Sequence, residues 1–409
     1  MTNLSPSNEQ VNAIIELFTS RRFEKALEAL KPLCKDYPSE SLLHNIRGAS
    51  YAGLGQFDSA IQSYKNAIAI DPKYYKAFFN LAGAYEEIGE IDKAIMSYQK
   101  SLMIEPNYVE AHNNLGNVLR AAGKLEDASI SFKEALAIKP DYVEALYSLG
   151  FIYQELGQLT KAVKCYKSVL EEKPDFAEMH NNLGVLLQRL DQPDKAIKYL
   201  NQALNIMPNF KEAHNNLGNV LKEQGKSDEA ISSYKKAISI GPNYVDAHNN
   251  LGSVLYELDR LEEAAVSYKK SLAIDSNDVE GQYNLGFILQ SLGYFDEAID
   301  CYQKVLKINP DYVDAHNNLG ISLKEVGKLD EAVQCYEKTI FLNPKYAQAY
   351  NNIGNVLVEL GQSDKALKSY RKALEVNPEY AEAHNNLGGT LKNLGQLDEA
   401  IDCYNKAID

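Results

Sequence analysis

VEAHNNLGNVLRAAGKLEDASISFKEALAIKPDY, residues 109–142, reads as two helices joined by a glycine. His112, Leu115, Gly116 and Leu119 follow helical spacing and make one face. Gly123 supplies a residue tolerant of positive φ, the usual helix stop. Glu126 and Asp127 place negative charge in the first turn of a second helix and Lys133 lies toward its end, both favourable to the helix dipole. Ala128 is the small contact where the second helix crosses the first, and Pro140 prevents its continuation.

The same stretch recurs along the chain. Alanine stands at Ala26, Ala60, Ala94, Ala128, Ala162, Ala196, Ala230, Ala264, Ala298, Ala332, Ala366 and Ala400, a strict period of 34 residues. With that alanine at repeat position 20, copies begin at Ser7 and Ser41 and continue to Ala381. Position 8 is Gly in ten copies, with Ile14 and Ala82 the exceptions. Position 15 is Gly in nine, replaced by Arg21, Asp191 and Asp259. Position 24 is Tyr or Phe in ten, and Leu30 and Leu200 fill the others. Position 32 is Pro except at Ser276. One supersecondary unit copied end to end excludes an ordinary closed globule, because each copy must lean on its neighbours to bury its apolar face.

These residues resemble the tetratricopeptide repeat in period and at positions 7, 8, 11, 20, 24, 27 and 32, over residues 7–409. Position 4, often Trp in that family, is mostly His here, and the chain has no Trp. Segments such as AHNNLGNVLKEQGK (213–226) are similar to the arrays preceding the catalytic region of O-linked N-acetylglucosamine transferases and to related bacterial multi-repeat proteins. The resemblance implies an all-α fold, a right-handed α-solenoid superhelix of about twelve 34-residue helix-turn-helix repeats. Residues 1–6 read as a disordered tail, 7–40 as a degenerate capping repeat, 41–380 as ten complete repeats and 381–409 as an incomplete twelfth. Pro32 falls inside the second helix of the first repeat and is expected to kink or shorten it. The twelfth repeat stops inside its second helix, which leaves open whether the chain is a fragment of a longer polypeptide.

Composition narrows the function. A net charge of −14 argues against nucleic-acid and anionic-membrane partners, including base-by-base RNA reading by helical repeats. No run of 18 apolar residues points to a membrane span, and MTNLSPSNEQ has no secretory pattern, so a cytoplasmic location is expected. Cys165, Cys301, Cys335 and Cys403 share position 23, which is Ser in six other copies. Neighbouring copies advance by about 8–10 Å, too far for disulfides, so these cysteines read as small filler. All seven histidines (His44, His112, His180, His214, His248, His316 and His384) sit at position 4, a full repeat apart, and read as packing rather than as metal ligands. No catalytic constellation, cofactor motif or metal motif is present, so no cofactor is expected.

The candidate working surface is the other side of the first helix. Positions 2, 6, 9 and 13 cluster opposite the core side, and the resemblance places them on an inner, concave wall. Position 6 is Asn in ten copies: Asn12, Asn80, Asn114, Asn182, Asn216, Asn250, Asn284, Asn318, Asn352 and Asn386. Asn is a mediocre helix former, so its repetition in mid-helix needs a reason. Its amide offers a donor and an acceptor that match an extended peptide backbone, and the resemblance implies such an asparagine ladder. The alternative is that the asparagines bond neighbouring helices, and both roles are compatible. Asn117, Asn219 and Asn355 at position 9 extend the candidate surface. Tyr147–Phe151 and Tyr283–Phe287, paired at i, i+4, are either groove anchors or inter-helix packing. Acidic residues at position 2, from Glu110 to Glu382, favour a neutral-to-basic ligand, although first-turn charges also serve the dipole. A carboxylate clamp for acidic peptide termini would need basic residues at positions 2, 5 and 6 and is excluded.

The sequence therefore predicts a non-catalytic scaffold binding extended peptide segments of partner proteins along an Asn-lined groove. The resemblance also implies an alternative, the substrate-recognition region of a larger transferase. A purely architectural role is the remaining expectation.

Overall fold

The computed structural model describes residues 5–408, which hold twenty-four α-helices and no strand. Residues 1–4 of the expected tail, and Asp409, lie outside the described residues. The chain forms two compact units, Met1–Ile206 and Met207–Asp409. Each is a stack of six helical hairpins, the first unit opening with Asn8–Thr19 and Phe23–Asp36, the second closing with Ala381–Asn393 and Leu397–Ile408.

Val109–Ala121 and Leu125–Ile138 show how a hairpin is built. Gly123 adopts φ 74°, and the following amide of Lys124 donates back to the Leu119 carbonyl at 2.9 Å, closing the helix end. Arg21, Asp191 and Asp259 adopt the same left-handed conformation, at φ 55°, 53° and 57°. Arg22, Gln192 and Arg260 repeat the returning bond. The turn is therefore fixed by its hydrogen bonds and the packing on both sides, with Asp the easier non-Gly occupant.

The repeating alanine is fully buried at each crossing, as the spacing predicts. Position 8 does more than punctuate. It lies in mid-helix, and a Cβ placed at Gly116 would meet the Phe132 ring at 2.7 Å; at Gly48 it would meet Tyr64 at 2.6 Å. The missing side chain makes room for the position-24 ring, which fills the space between the paired helices. The first hairpin solves the same problem with Ile14 against Leu30, both buried.

Pro32 does not shorten its helix. Phe23–Asp36 has fourteen residues, as Phe57–Ile70 does. Pro32 and Glu28 are exposed, on the side of the helix where water can reach a carbonyl left without an N–H partner.

Candidate peptide-binding face

The first helix of each repeat carries two adjacent carboxamides at different depths. Position 5 points toward the neighbouring repeat: Asn45, Asn113, Asn181, Asn215, Asn317 and Asn351 are buried. A buried amide needs partners, and for Asn45, Asn215, Asn317 and Asn351 position 6 of the next repeat supplies one. Asn80 Nδ2 donates to Asn45 Oδ1 at 3.0 Å, Asn250 to Asn215 at 3.0 Å, Asn352 to Asn317 at 3.2 Å and Asn386 to Asn351 at 3.0 Å. Asn318 donates to the Tyr283 hydroxyl at 3.0 Å, so a phenol replaces the carboxamide where position 5 is aromatic. Asn114 and Asn182 accept from Asn113 and Asn181 at 3.3 and 3.4 Å. Asn80, Asn250, Asn318, Asn352 and Asn386 thus bond the preceding repeat, whereas Asn114 and Asn182 bond a neighbour on their own helix. An amide that spends one N–H in this way keeps a second N–H and lone pairs on its carbonyl. Asn318 is buried, Asn12 is exposed, and the other position-6 carboxamides are partly exposed.

Position 9 also serves packing. The buried Tyr234 and Tyr370 hydroxyls donate to Asn219 and Asn355 at 2.8 Å. Other rings use position 12: Tyr98 donates to Glu86 at 3.2 Å and Tyr302 to Gln290 at 3.1 Å. Asn117 stands in the one repeat whose ring is Phe132, without a hydroxyl, and accepts instead from Ser148 at 3.5 Å.

The four aromatic candidates make ring contacts beyond their own helix. Tyr283 stacks on Tyr312 at 5.1 Å, and Phe287 meets Tyr256 edge-on at 5.9 Å. Phe151 lies under the Arg120 guanidinium at 5.2 Å. Tyr147 is 39% exposed, its ring centre 6.2 Å from that of Tyr166. Of the four, Tyr147 offers the most accessible surface.

A second feature was absent from the sequence reading: each histidine Nε2 donates to the carbonyl of the proline six residues earlier. His180 reaches Pro174 at 2.8 Å, His112 reaches Pro106 at 2.9 Å and His248 reaches Pro242 at 3.0 Å. The ring ties the connecting loop onto the next helix. A carbonyl can only accept, so Nε2 carries the proton. Burial lowers the pKa of His44 and His214 below the usual histidine value. The pattern that could have exposed the bond is that every His at position 4 follows a Pro at position 32, whereas Ser276 precedes Gln282.

In the second unit this face opens into a cleft of about 470 Å³. Asn216, Asn250 and Asn284 line it together with Asn219, Asn249, Tyr244, Tyr268, Asp246 and Glu280. The junction is unusual. Ser276-Asn277-Asp278 replaces the common Pro-x-Tyr, and Asp278 caps the next helix through the Gly281 amide at 3.0 Å while accepting from Asn249 at 2.6 Å. Burial pushes the Tyr244 hydroxyl up to about 12, with the Asp246 and Glu212 carboxylates adding to the shift. Burial likewise raises Tyr268 to about 12. Neutral hydroxyls, carboxamides and two exposed carboxylates line the walls, with no cationic side chain among them. Such a lining can donate to and accept from a peptide backbone and attract a cation. A second cleft of about 500 Å³ brings Asn355, Asn386 and Glu382 together with Lys324 and Lys392. Among the described residues no helix is long and apolar enough to cross a membrane.

Comparison with known proteins places most of the repeats. Residues 48–157 and 218–395 match, in eight overlapping stretches, a family profile described as TPR repeat. Residues 141–209 match one described as Tetratricopeptide repeat. An 82-residue stretch is 29% identical to the peroxisomal targeting signal receptor of Saccharomyces cerevisiae, covering 20% of this chain and 13% of that receptor. Among solved structures, MamA is 32% identical over 41% of this chain and 97% of its own, with a TM-score of 0.39. YrrB, a TPR protein described as having an unusual peptide-binding site, is 24% identical over 45% of this chain and 95% of its own, with a TM-score of 0.42.

Proposed function

The chain belongs to the tetratricopeptide-repeat family, and from that premise we propose that it is a protein-interaction scaffold. It binds extended segments of partner proteins along the carboxamide-bearing face of its first helices. The observation that carries this reading is the cleft where Asn250 and Asn284 lie beside Asp246 and Glu280. The bond from Asn250 to Asn215 holds the amide in one orientation, so little side-chain entropy is lost when the remaining N–H and carbonyl meet a ligand. Backbone pairing is tolerant of ligand side chains, and the two carboxylates select neutral-to-basic segments. The same face would serve the substrate-reading role in a larger transferase that the sequence resemblance implies.

The test is a peptide library screened against the wild-type chain and against Asn250→Ala and Asn284→Ala, with circular dichroism confirming the fold of each. Loss of affinity across many unrelated peptides supports backbone reading. Unchanged affinity for every bound peptide would overturn it.

A further inference from the structure

A second groove, of about 820 Å³, opens between the second helices Leu329–Leu342 and Ser363–Val376, and no asparagine lines it. Its floor is Tyr350, Ile353 and Leu357 on the first helix Ala347–Glu359. These are core positions. The counterparts of Ile353 one repeat either side, Leu319 and Leu387, are 6% and 5% exposed, and Leu323 and Leu391 are buried like them. Ile353 and Leu357 are partly exposed. Val333 on the rim is also partly exposed, whereas Ile299 and Leu367 at the same position are buried. Two local changes accompany the opening. Val333 is shorter than Ile or Leu, and Tyr350 stands where His316 and His384 bond the preceding proline carbonyls.

The walls differ in charge. Lys365, Lys368 and Lys372 run along one at i, i+3 and i+7, and Asp330 and Glu337 occupy the other. Three aligned lysines run against the character of a chain whose net charge is −14.

We propose that this groove takes an amphipathic helix of a partner protein, with apolar residues at i, i+3 or i+4, and i+7 on the floor and carboxylates along the lysine wall. The floor presents side chains at helical spacing, about 5–6 Å apart, which the ridges of another helix match. An extended segment fits poorly, because its backbone N–H and C=O groups would meet an apolar floor with no strand edge to pair them. A helix satisfies its backbone internally. The two charged walls fix which flank of the helix faces which side.

The probe is a fluorescein-labelled helical peptide of about fourteen residues, roughly 21 Å long, with leucines at that spacing, glutamates on one flank and lysines on the other. Saturable binding to the full chain is expected. Reversing the exposed lysines (Lys365→Glu, Lys368→Glu, Lys372→Glu) should weaken it at least tenfold, and Ile353→Asp should abolish it. A peptide of the same composition with a scrambled face should not bind, and Asn250→Ala should leave binding unchanged, which separates this site from the asparagine face. No saturable binding, equal binding of the scrambled peptide, or indifference to the lysine reversal would each overturn the proposal.

Discussion

Asn386 Nδ2 donates to Asn351 Oδ1 at 3.0 Å, joining two repeats through a carboxamide that is 0% exposed. Asn351 in turn donates to Glu382 at 3.0 Å, so one buried amide holds two points on the next first helix.

Asn351→Ala should therefore lower stability by about 1–3 kcal/mol, the cost of leaving desolvated partners unmatched. Asn385→Ala, the same position one repeat later but exposed, should stay within about 0.5 kcal/mol. Urea denaturation read by circular dichroism gives the comparison, and hydrogen exchange in Ala381–Asn393 should rise only for Asn351→Ala. Equal effects from both would remove the distinction between the two sites.

Gly116→Ile should destabilise the fourth hairpin by about 1–3 kcal/mol or more, because the added atoms enter the space of the Phe132 ring. Helix propensity alone predicts the opposite sign. Adding Phe132→Leu reproduces the Ile14–Leu30 combination of the first hairpin and should recover part of the loss. A double-mutant cycle with no coupling would show that the two positions do not share one volume.

The hairpin plan was open to reading because period, punctuation and apolar spacing all repeat together. Asp191 and Asp259 take the left-handed turn that Asp tolerates, whereas Arg21 takes it in a repeat whose sequence lacks both glycines. The asparagines were harder. Positions 5 and 6 are adjacent, and only packing reveals that Asn351 turns inward toward the next repeat while Asn352 reaches back to bond Asn317. Asn219 and Asn355 line the clefts of the candidate face and also hold the Tyr234 and Tyr370 hydroxyls, fifteen residues away on the other helix. The pairing of Asn at position 9 with Tyr at position 24 was the available signal, and Asn117 beside Phe132 blurred it. The shortening expected at Pro32 does not occur: the helix runs on through it to Asp36, and the residue whose carbonyl loses its donor, Glu28, is exposed.

Burial of the position-4 histidines gives stability a pH dependence, which their bonds to the proline carbonyls partly offset. Burial lowers the pKa of His44 and His214, so the folded chain resists their protonation while the unfolded chain accepts it near 6.5. Their contribution is complete above that value and is lost as pH falls through the lower folded pKa. Melting temperature should drop as pH is lowered from 7 through 6. His44→Gln with His214→Gln should flatten the slope over that interval, although it also lowers stability at pH 7. A wild-type melting temperature that is level or rises on acidification in this window would contradict the assignment.

Asp246 and Glu280 are exposed on the cleft that carries the peptide-binding reading, so Asp246→Lys with Glu280→Lys should fold normally. Peptides with a basic residue should then bind at least tenfold more weakly at low salt, a change of about 1.4 kcal/mol. Neutral peptides should be nearly unaffected, because their bonds are to carboxamides. The gap between variant and wild type should narrow as salt rises, since the screening length shrinks from about 10 Å at 0.1 M to about 3 Å at 1 M. Fluorescence anisotropy across a salt series measures both effects. A basic-peptide preference that survives the double reversal, or that ignores salt, would show that these two carboxylates do not select the ligand.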